Sequence, residues 1–154
     1  MRWKVMVSAP YMQPDLDRFR PIFKENDIEL VVPPVSERLE EADLLKHAHD
    51  VDGVICGDDR FTERVLGELS QLKVISKWGT GIDSIDQEAC RRHGIKICNT
   101  PDAFSKPVAD SVLGYMLSFA RTIPRTDLQM KQGRWKKEPD RGPLPNHALN
   151  IHYE

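Results

Sequence analysis

The sequence lacks any apolar run approaching the roughly 20 residues that a helix needs to span a bilayer. Its amino-terminal segment, residues 1–8, is short and is soon followed by Pro10, so it does not fit a signal peptide. That segment is more typical of a first β-strand. We therefore expect neither insertion into a membrane nor export.

The sequence also lacks a large excess of positive or negative charge, and its cysteines lack the spacing of a metal or disulfide motif. The formal net charge is −2, from 22 Lys and Arg against 24 Asp and Glu, so no electrostatic surface for nucleic acid or an anionic membrane is expected. The 3 cysteines, Cys56, Cys90 and Cys98, show no C-x-x-C spacing. They indicate neither a disulfide framework nor a zinc site, and we expect a cytoplasmic protein without a bound metal.

Short apolar segments alternate with helix-length segments over residues 1–101. The predicted strands are 4–8, 28–32, 53–56, 74–76 and 96–98, and the predicted helices are roughly 14–26, 37–47, 62–68 and 86–93. Asp86 is a predicted cap for the fourth helix and Gly94 a predicted terminator. The alternation is typical of a parallel sheet covered on both faces. The predicted fold class is α/β, a flavodoxin-like doubly wound parallel sheet of about five strands.

The pattern changes after Pro101. Apolar side chains recur at helical spacing at Val108, Val112, Met116 and Phe119. They predict a long crossing helix over residues 106–122, followed by a helical segment at 124–133. Residues 136–154 carry several prolines and no periodicity, which predicts an irregular tail. The expected organisation is a domain at 1–101, helices at 102–135 and a tail at 136–154.

Two glycines follow the predicted fourth strand, in the segment Lys77-Trp78-Gly79-Thr80-Gly81-Ile82-Asp83. Glycine lets backbone N–H groups approach a ligand closely, and open α/β sheets bind ligands at the carboxyl ends of their strands. The spacing alone is weak, because tight turns also use glycine for steric reasons. A binding loop and a simple chain reversal are both open on these residues.

Several further motifs follow in order. They are G-T-G-I-D at 79–83, H-G-I at 93–95, N-T-P at 99–101, V-A-D at 108–110, A-R-x-I-P at 120–124 and G-R-W at 133–135. With them the chain resembles the D-isomer-specific 2-hydroxyacid dehydrogenases, particularly the phosphoglycerate dehydrogenase-like branch. The resemblance is close over residues 74–135 and loose over most of the chain. It implies a substrate-binding part of an NAD-dependent oxidoreductase that acts on a small 2-hydroxy or 2-oxo acid.

The resemblance also implies roles for particular residues. It assigns binding of the substrate carboxylate to backbone N–H groups around Trp78, Gly79, Thr80 and Gly81. It assigns the hinge and the lining of an interdomain cleft to Asn99, Thr100 and Pro101. Asp83 is expected to cap or brace the loop, because a carboxylate there would repel an anionic substrate.

The long helix has two implied roles in the same family. In a complete enzyme, Val108 and Ala109 would pack near the nicotinamide of the cofactor. The 106–122 helix would cross between domains and contribute to a homodimer interface. An ordinary core helix is the alternative interpretation of its apolar pattern.

The cofactor-binding signature of the family is missing from these residues. No G-x-G-x-x-G turn occurs, and the segment 79–84 lacks the third glycine. The 5 histidines match none of the family's catalytic positions, and its catalytic arginine and glutamate are missing too. We therefore expect that this chain is part of such an enzyme, truncated before the nucleotide-binding domain and without a catalytic residue. Alone, it is expected neither to bind NAD nor to be active.

One position departs from the family pattern. Phosphoglycerate dehydrogenases usually carry an arginine at the end of the third strand, where this chain has Cys56 followed by Asp58 and Asp59. Arginine is the natural bidentate partner of a carboxylate or phosphate, and two aspartates disfavour an anion. These residues argue against 3-phosphoglycerate as substrate, although Arg60 could compensate. Cys56 is expected to be unreactive, because an apolar strand end raises the pKa of a thiol.

Two other functions use the same fold. A non-catalytic module derived from this family would use it for ligand binding or dimerisation. A signalling receiver domain shares the flavodoxin-like topology. Receivers need clustered acids at the end of the first strand, where this chain has Ser8, Ala9 and Pro10, so this alternative is disfavoured.

Overall fold

The computed structural model describes residues 2–134. They divide into two compact units, one ending at Ala103 and the other beginning at Phe104. The irregular tail predicted at 136–154 lies outside the described residues, and so does Trp135 of the predicted 102–135 segment.

The first unit is built on a five-stranded parallel sheet with the strand order β2-β1-β3-β4-β5. Its strands are β1 (Trp3–Val7), β2 (Ile28–Val31), β3 (Gly53–Cys56), β4 (Val74–Lys77) and β5 (Lys96–Cys98). Val54 lies opposite Met6 on one side and Ile75 on the other, and every pairing is parallel. The strand order reverses between β1 and β3, which is the switch point of a doubly wound sheet. The predicted fold class is confirmed.

Four α-helices connect the strands, and two of them differ from prediction. They are α1 (Leu16–Glu25), α2 (Glu41–His47), α3 (Glu63–Glu68) and α4 (Gln87–Arg92). The helix expected at 14–26 begins instead with a 3-10 turn at Gln13–Asp15 that contains Pro14. The helix expected at 37–47 starts only at Glu41, because Glu40 is extended and the Leu39 N–H is bound elsewhere.

The predicted ends of α4 are confirmed. The Asp86 side chain accepts a hydrogen bond from the Ala89 N–H at 2.9 Å, which caps the amino terminus of the helix. Gly94 follows the helix with φ of +69°, a left-handed conformation that favours glycine.

Apolar side chains cover both faces of the sheet. Met6 and Val7 are adjacent in β1 and fully buried, yet they belong to different hydrophobic clusters because successive strand residues face opposite sides. The larger cluster includes Phe61, and the smaller one includes Met12 and Leu16. Burial on both faces explains why the strands are short apolar runs rather than alternating ones.

The second unit contains the helices α5 (Ser105–Ala120) and α6 (Ile123–Lys131). The helix predicted to reach residue 122 ends two positions earlier, because Thr122 is left-handed with φ of +52° and begins the next helix. The apolar side chains that predicted α5 are exposed, with Val108 57% and Phe119 62% accessible. No helix within residues 2–134 is both long enough and apolar enough to span a membrane.

Candidate functional site

A cleft of about 790 Å³ opens in the first unit at the carboxyl ends of β1, β3 and β4. Pro10 and Tyr11 line it after β1, Gly57 and Asp58 after β3, and several residues of the segment 77–84 after β4. Parallel strands direct their carboxyl ends to one edge, so residues distant in sequence meet there. The cleft includes the switch point between β1 and β3, where open α/β sheets bind ligands.

The glycine loop, residues 78–81, is held to the end of β5 by hydrogen bonds. The Thr100 N–H donates to the Gly79 carbonyl at 2.9 Å, and the Thr100 hydroxyl reaches the same oxygen at 3.2 Å. The Asn99 amide donates to the Thr80 carbonyl at 2.8 Å, and the Thr80 hydroxyl donates to the Thr100 carbonyl at 3.0 Å. The structure therefore brings together two motifs that are separate in the sequence.

These bonds leave donors of the glycine loop available. Within the described residues, the N–H groups of Gly79, Thr80 and Gly81 have no acceptor in the protein. The Trp78 N–H differs, because it donates to the Cys56 carbonyl at 2.9 Å, and the Trp78 side chain lines the cleft. Gly79 has φ of +154°, and a Cβ there would lie 3.4 Å from the Lys77 Cε. Glycine is thus needed for the local backbone.

The remaining predicted site residues lie in two places. Pro101 belongs to the first unit and directly follows the two residues that hold the glycine loop. Val108 and Ala109 lie in α5 of the second unit and are exposed. Asp83 lines the cleft, but its carboxylate accepts no hydrogen bond from residues 2–134. The prediction that Asp83 braces the loop is therefore wrong.

Lys77 is a buried cation in the cleft wall. Its side chain is only 5% exposed, and its ammonium donates to the Gly57 carbonyl at 2.6 Å and to the Asp58 carboxylate. The Asp58 side chain is 78% exposed. Sequence reasoning missed this pair, although the signal was there: Lys77 ends β4 next to the end of β3, and Asp58 lies just beyond that end.

Asp59 has a different environment from its neighbour. It is fully buried, and its carboxylate accepts hydrogen bonds from the Ser8 hydroxyl and, at 2.6 Å, from the Leu39 N–H. Burial raises its pKa, and the two hydrogen bonds oppose that shift. The prediction that both aspartates oppose an anion in the site is wrong for Asp59, which joins three segments of the fold. Arg60 does line the cleft, but it pairs with Glu40 at 3.3 Å.

One polar atom in the wall is unpaired. The Ser84 hydroxyl is buried and has no hydrogen-bond partner among the described residues. Buried polar atoms are nearly always paired with protein, water or ligand, and Ser84 lines the cleft. Elsewhere in residues 2–134, no group of three or more His, Cys, Asp or Glu side chains is placed to hold a metal ion.

Two of the three thiols are expected to be protected from alkylation. Burial, followed by repulsion from Asp59, raises the pKa of Cys56 to about 12, as the sequence predicted, and burial raises that of Cys90 to about 11. Cys98 is less buried. Brief iodoacetamide treatment of the native chain at pH 8 should modify Cys98 alone, as read by mass spectrometry. Unfolding in urea is the control and should expose all three thiols; modification of Cys56 as fast as Cys98 would contradict this assignment.

The sheet order is that of a flavodoxin-like α/β domain, with a cleft at its switch point beside the glycine loop. Residues 5–133 match the model of the family described as D-isomer specific 2-hydroxyacid dehydrogenase, catalytic domain. The chain belongs to this family, so the resemblance found in the sequence is confirmed.

Known relatives agree with this assignment. The chain is 32% identical to the hydroxypyruvate reductase of Thermotoga maritima over 142 residues, which are 92% of this chain and 44% of that protein. It is 32% identical to the D-3-phosphoglycerate dehydrogenase of Methanocaldococcus jannaschii over 140 residues, 90% of this chain and 25% of that protein. The NAD+-bound 3-phosphoglycerate dehydrogenase of Entamoeba histolytica superposes with a TM-score of 0.65 at 28% identity, over 77% of this chain and 39% of that one. The chain thus spans less than half of each relative.

Proposed function

We propose that this chain is the substrate-binding part of an NAD-dependent D-2-hydroxyacid dehydrogenase and that the glycine loop binds the substrate carboxylate. The observation that carries the proposal is the set of available N–H groups at Gly79, Thr80 and Gly81 beside the cleft. Successive backbone N–H groups in a turn are a common anion site. Trp78 contributes its ring to the wall of the same site. The likeness to a hydroxypyruvate reductase supports a small 2-hydroxy or 2-oxo acid as ligand.

The proposed part of this chain in the reaction is binding and orientation. Because Asn99 and Thr100 hold the loop carbonyls, the loop donors are fixed before a ligand arrives. A preorganised anion site lowers the entropic cost of placing the reacting carbon. We derive no hydride-transfer step, because the residues present do not fit NAD. The 154 residues contain no G-x-G-x-x-G turn, and the helix after the glycine loop begins only at Gln87.

We propose the corresponding organisation for the chain. Residues 1–101 form the substrate-binding domain, with 99–101 as hinge and cleft lining, and 102–135 form interdomain and dimerisation helices. The division of the described chain between Ala103 and Phe104 supports this. In a complete enzyme, Val108 and Ala109 would lie near the nicotinamide. The three free thiols support a reducing compartment such as the cytoplasm.

Titration of the isotopically labelled chain, followed by NMR, tests the proposed carboxylate site. Glycerate and hydroxypyruvate should shift the amide resonances of Gly79, Thr80 and Gly81 more than those of the opposite sheet edge. A Gly79→Ala variant should weaken binding at least about tenfold, because the loop backbone cannot keep its conformation. NAD at micromolar concentration should cause no shifts, and a hydroxyacid panel should show no turnover.

The matched control is Gly67→Ala, at an exposed helical glycine where a Cβ meets nothing closer than 3.9 Å. It should titrate like the parent. Absence of shifts in the glycine loop, or equal weakening by both variants, would refute the carboxylate site. Micromolar NAD binding or turnover would refute the proposal that this chain alone is inactive.

We also propose that α5 mediates a homodimer. This makes a dimerisation module the second candidate function, and the observation that favours it is the exposed apolar face of α5. Four apolar side chains, Val108, Val112, Met116 and Phe119, are between 50% and 62% exposed. Burying each large apolar side chain contributes about 1.5–3 kcal/mol, and closed twofold dimers are the commonest assembly.

Light scattering should give a dimer at hundreds of micromolar and a monomer for the double variant Met116→Glu, Phe119→Lys. Tyr11→Lys is the control; a monomeric parent, or a variant that still dimerises, would exclude this interface.

A further inference from the structure

The cations that line the cleft are all engaged by carboxylates. Lys77 pairs with Asp58, while Arg38 and Arg60 share the carboxylate of Glu40 at 2.7 and 3.3 Å. No other Lys or Arg lines the cleft within the described residues. The two guanidiniums reach the one Glu40 carboxylate through Nε alone, whereas the single ammonium of Lys77 has a carboxylate of its own. A second negative group on a ligand would therefore have to displace a carboxylate before it could pair with Lys77.

Lys77 directly precedes the glycine loop in the sequence. Its side chain is also the least exposed of the three cations that line the cleft. Its side chain is 5% exposed, compared with 37% for Arg38 and 53% for Arg60. The Gly57 carbonyl, at 2.6 Å, and the Asp58 carboxylate together occupy two of its three donors. Since the Gly57 carbonyl carries no net charge, Asp58 supplies the one carboxylate in direct contact with Lys77 among the described residues.

The remaining cleft wall also disfavours a second negative charge. Glu37 and Asp83 line the cleft, and neither forms an ion pair within residues 2–134. Tyr11, which is 84% exposed, and Trp78, which is 45% exposed, also line the cleft. The Trp78 ring packs edge-on against Phe19, with ring centroids 5.9 Å apart. The wall thus places aromatic surface and negative side chains around the glycine loop, and those negative side chains repel a second negative charge on a ligand.

We propose that Asp58 is a specificity-determining residue: by neutralising Lys77 it makes the cleft selective for monoanionic 2-hydroxy or 2-oxo acids with an uncharged side chain, against phosphorylated ones. This inference rests on the proposed function, since the glycine loop must bind the carboxylate common to both ligand types. Removing the Asp58 charge leaves the Lys77 ammonium beside the loop with a free donor and no carboxylate in direct contact, since Asp59 attracts it only from a greater distance. A phosphoryl group is the natural partner for that ammonium.

The test compares glycerate, 3-phosphoglycerate and inorganic phosphate, titrated into the labelled full chain at pH 7.5 and fixed ionic strength. For the parent, glycerate should bind at least about tenfold more tightly than 3-phosphoglycerate. In Asp58→Asn, 3-phosphoglycerate and inorganic phosphate should each gain about tenfold, while glycerate stays within about twofold. Asp58→Ser repeats the charge removal with a smaller side chain. Because the Asp58 side chain is 78% exposed, both variants should fold.

The control is Asp17→Asn, which removes one charge from an exposed ion pair with Arg20 in α1. It should change none of the three affinities. Equal or tighter binding of 3-phosphoglycerate by the parent, or no gain in either Asp58 variant, would overturn the selectivity proposal while the carboxylate site stands. If neither acid shifts the glycine loop, the proposed function itself fails and this inference fails with it.

Discussion

Replacing Phe61 with alanine is expected to lower the free energy of unfolding by about 3–5 kcal/mol, the usual cost of truncating a buried phenylalanine. Phe61 is completely buried in the larger hydrophobic cluster. Its backbone also holds the segment 84–86, because its N–H donates to the Ser84 carbonyl at 3.0 Å and its carbonyl accepts from the Asp86 N–H at 2.9 Å. Urea unfolding followed by tryptophan fluorescence measures the loss.

Two variants calibrate the Phe61 result. Phe61→Leu retains most of the buried apolar volume and should cost clearly less than alanine. Tyr11→Ala removes an aromatic ring that is 84% exposed and should change stability by no more than about 0.5 kcal/mol. A loss below about 1 kcal/mol for Phe61→Ala would mean that the cluster collapses around the gap or that the ring is not buried in solution.

The second large effect is expected for Asp59→Ala, at about 2–4 kcal/mol. The substitution leaves the buried Ser8 hydroxyl and the Leu39 N–H without their acceptor, and each unsatisfied buried group costs about 1–3 kcal/mol. Ser8 retains a long contact of 3.5 Å to the Ile55 carbonyl, which limits its share of the cost. The same urea titration measures the effect, and a loss below about 0.5 kcal/mol would refute this account.

The pH dependence of Asp59→Asn gives an independent test. Asparagine keeps an acceptor for Leu39 and has the same shape, but it cannot ionise. The pKa of Asp59 is raised above 3.8 in the folded state by burial, so the folded protein favours the protonated carboxyl. Relative to the Asn variant, the parent should lose stability as pH rises from about 4 through the raised pKa, and the difference should then become constant. An identical stability difference at pH 4 and pH 7 would contradict this.

Local patterns predicted the sheet well. The strands are apolar runs bounded by polar residues, and β3 and β5 have the predicted limits. The end of β4 and the end of β5 must be neighbours in a parallel sheet of this order, so the contact between the glycine loop and Asn99 follows from topology. Thr62 and Asp86 cap their helices through side-chain chemistry that sequence reveals.

Contacts between distant segments were not predictable in the same way. Asp59 bonds to residues 51 and 20 positions away, and no spacing rule indicates which of two adjacent aspartates will turn inward. The Leu39 N–H donates to the Asp59 carboxylate instead of to a helical carbonyl. For this reason α2 begins at Glu41 and not at the predicted residue 37. The engagement of the Trp78 N–H by Cys56 likewise depends on the packing of β3 beside β4.

The adjacent aspartates Asp58 and Asp59 separate two properties of the chain, its charge at the cleft and its stability. Within residues 2–134 the Asp58 carboxylate pairs with Lys77 and is 78% exposed, so its replacement should leave the hydrophobic core intact. Asp59 joins three segments through buried hydrogen bonds, so its replacement should lower stability whatever the ligand. If Asp58 has the proposed role, substitutions at position 58 would change ligand preference at little cost in stability, whereas substitutions at position 59 would lower stability whatever the ligand.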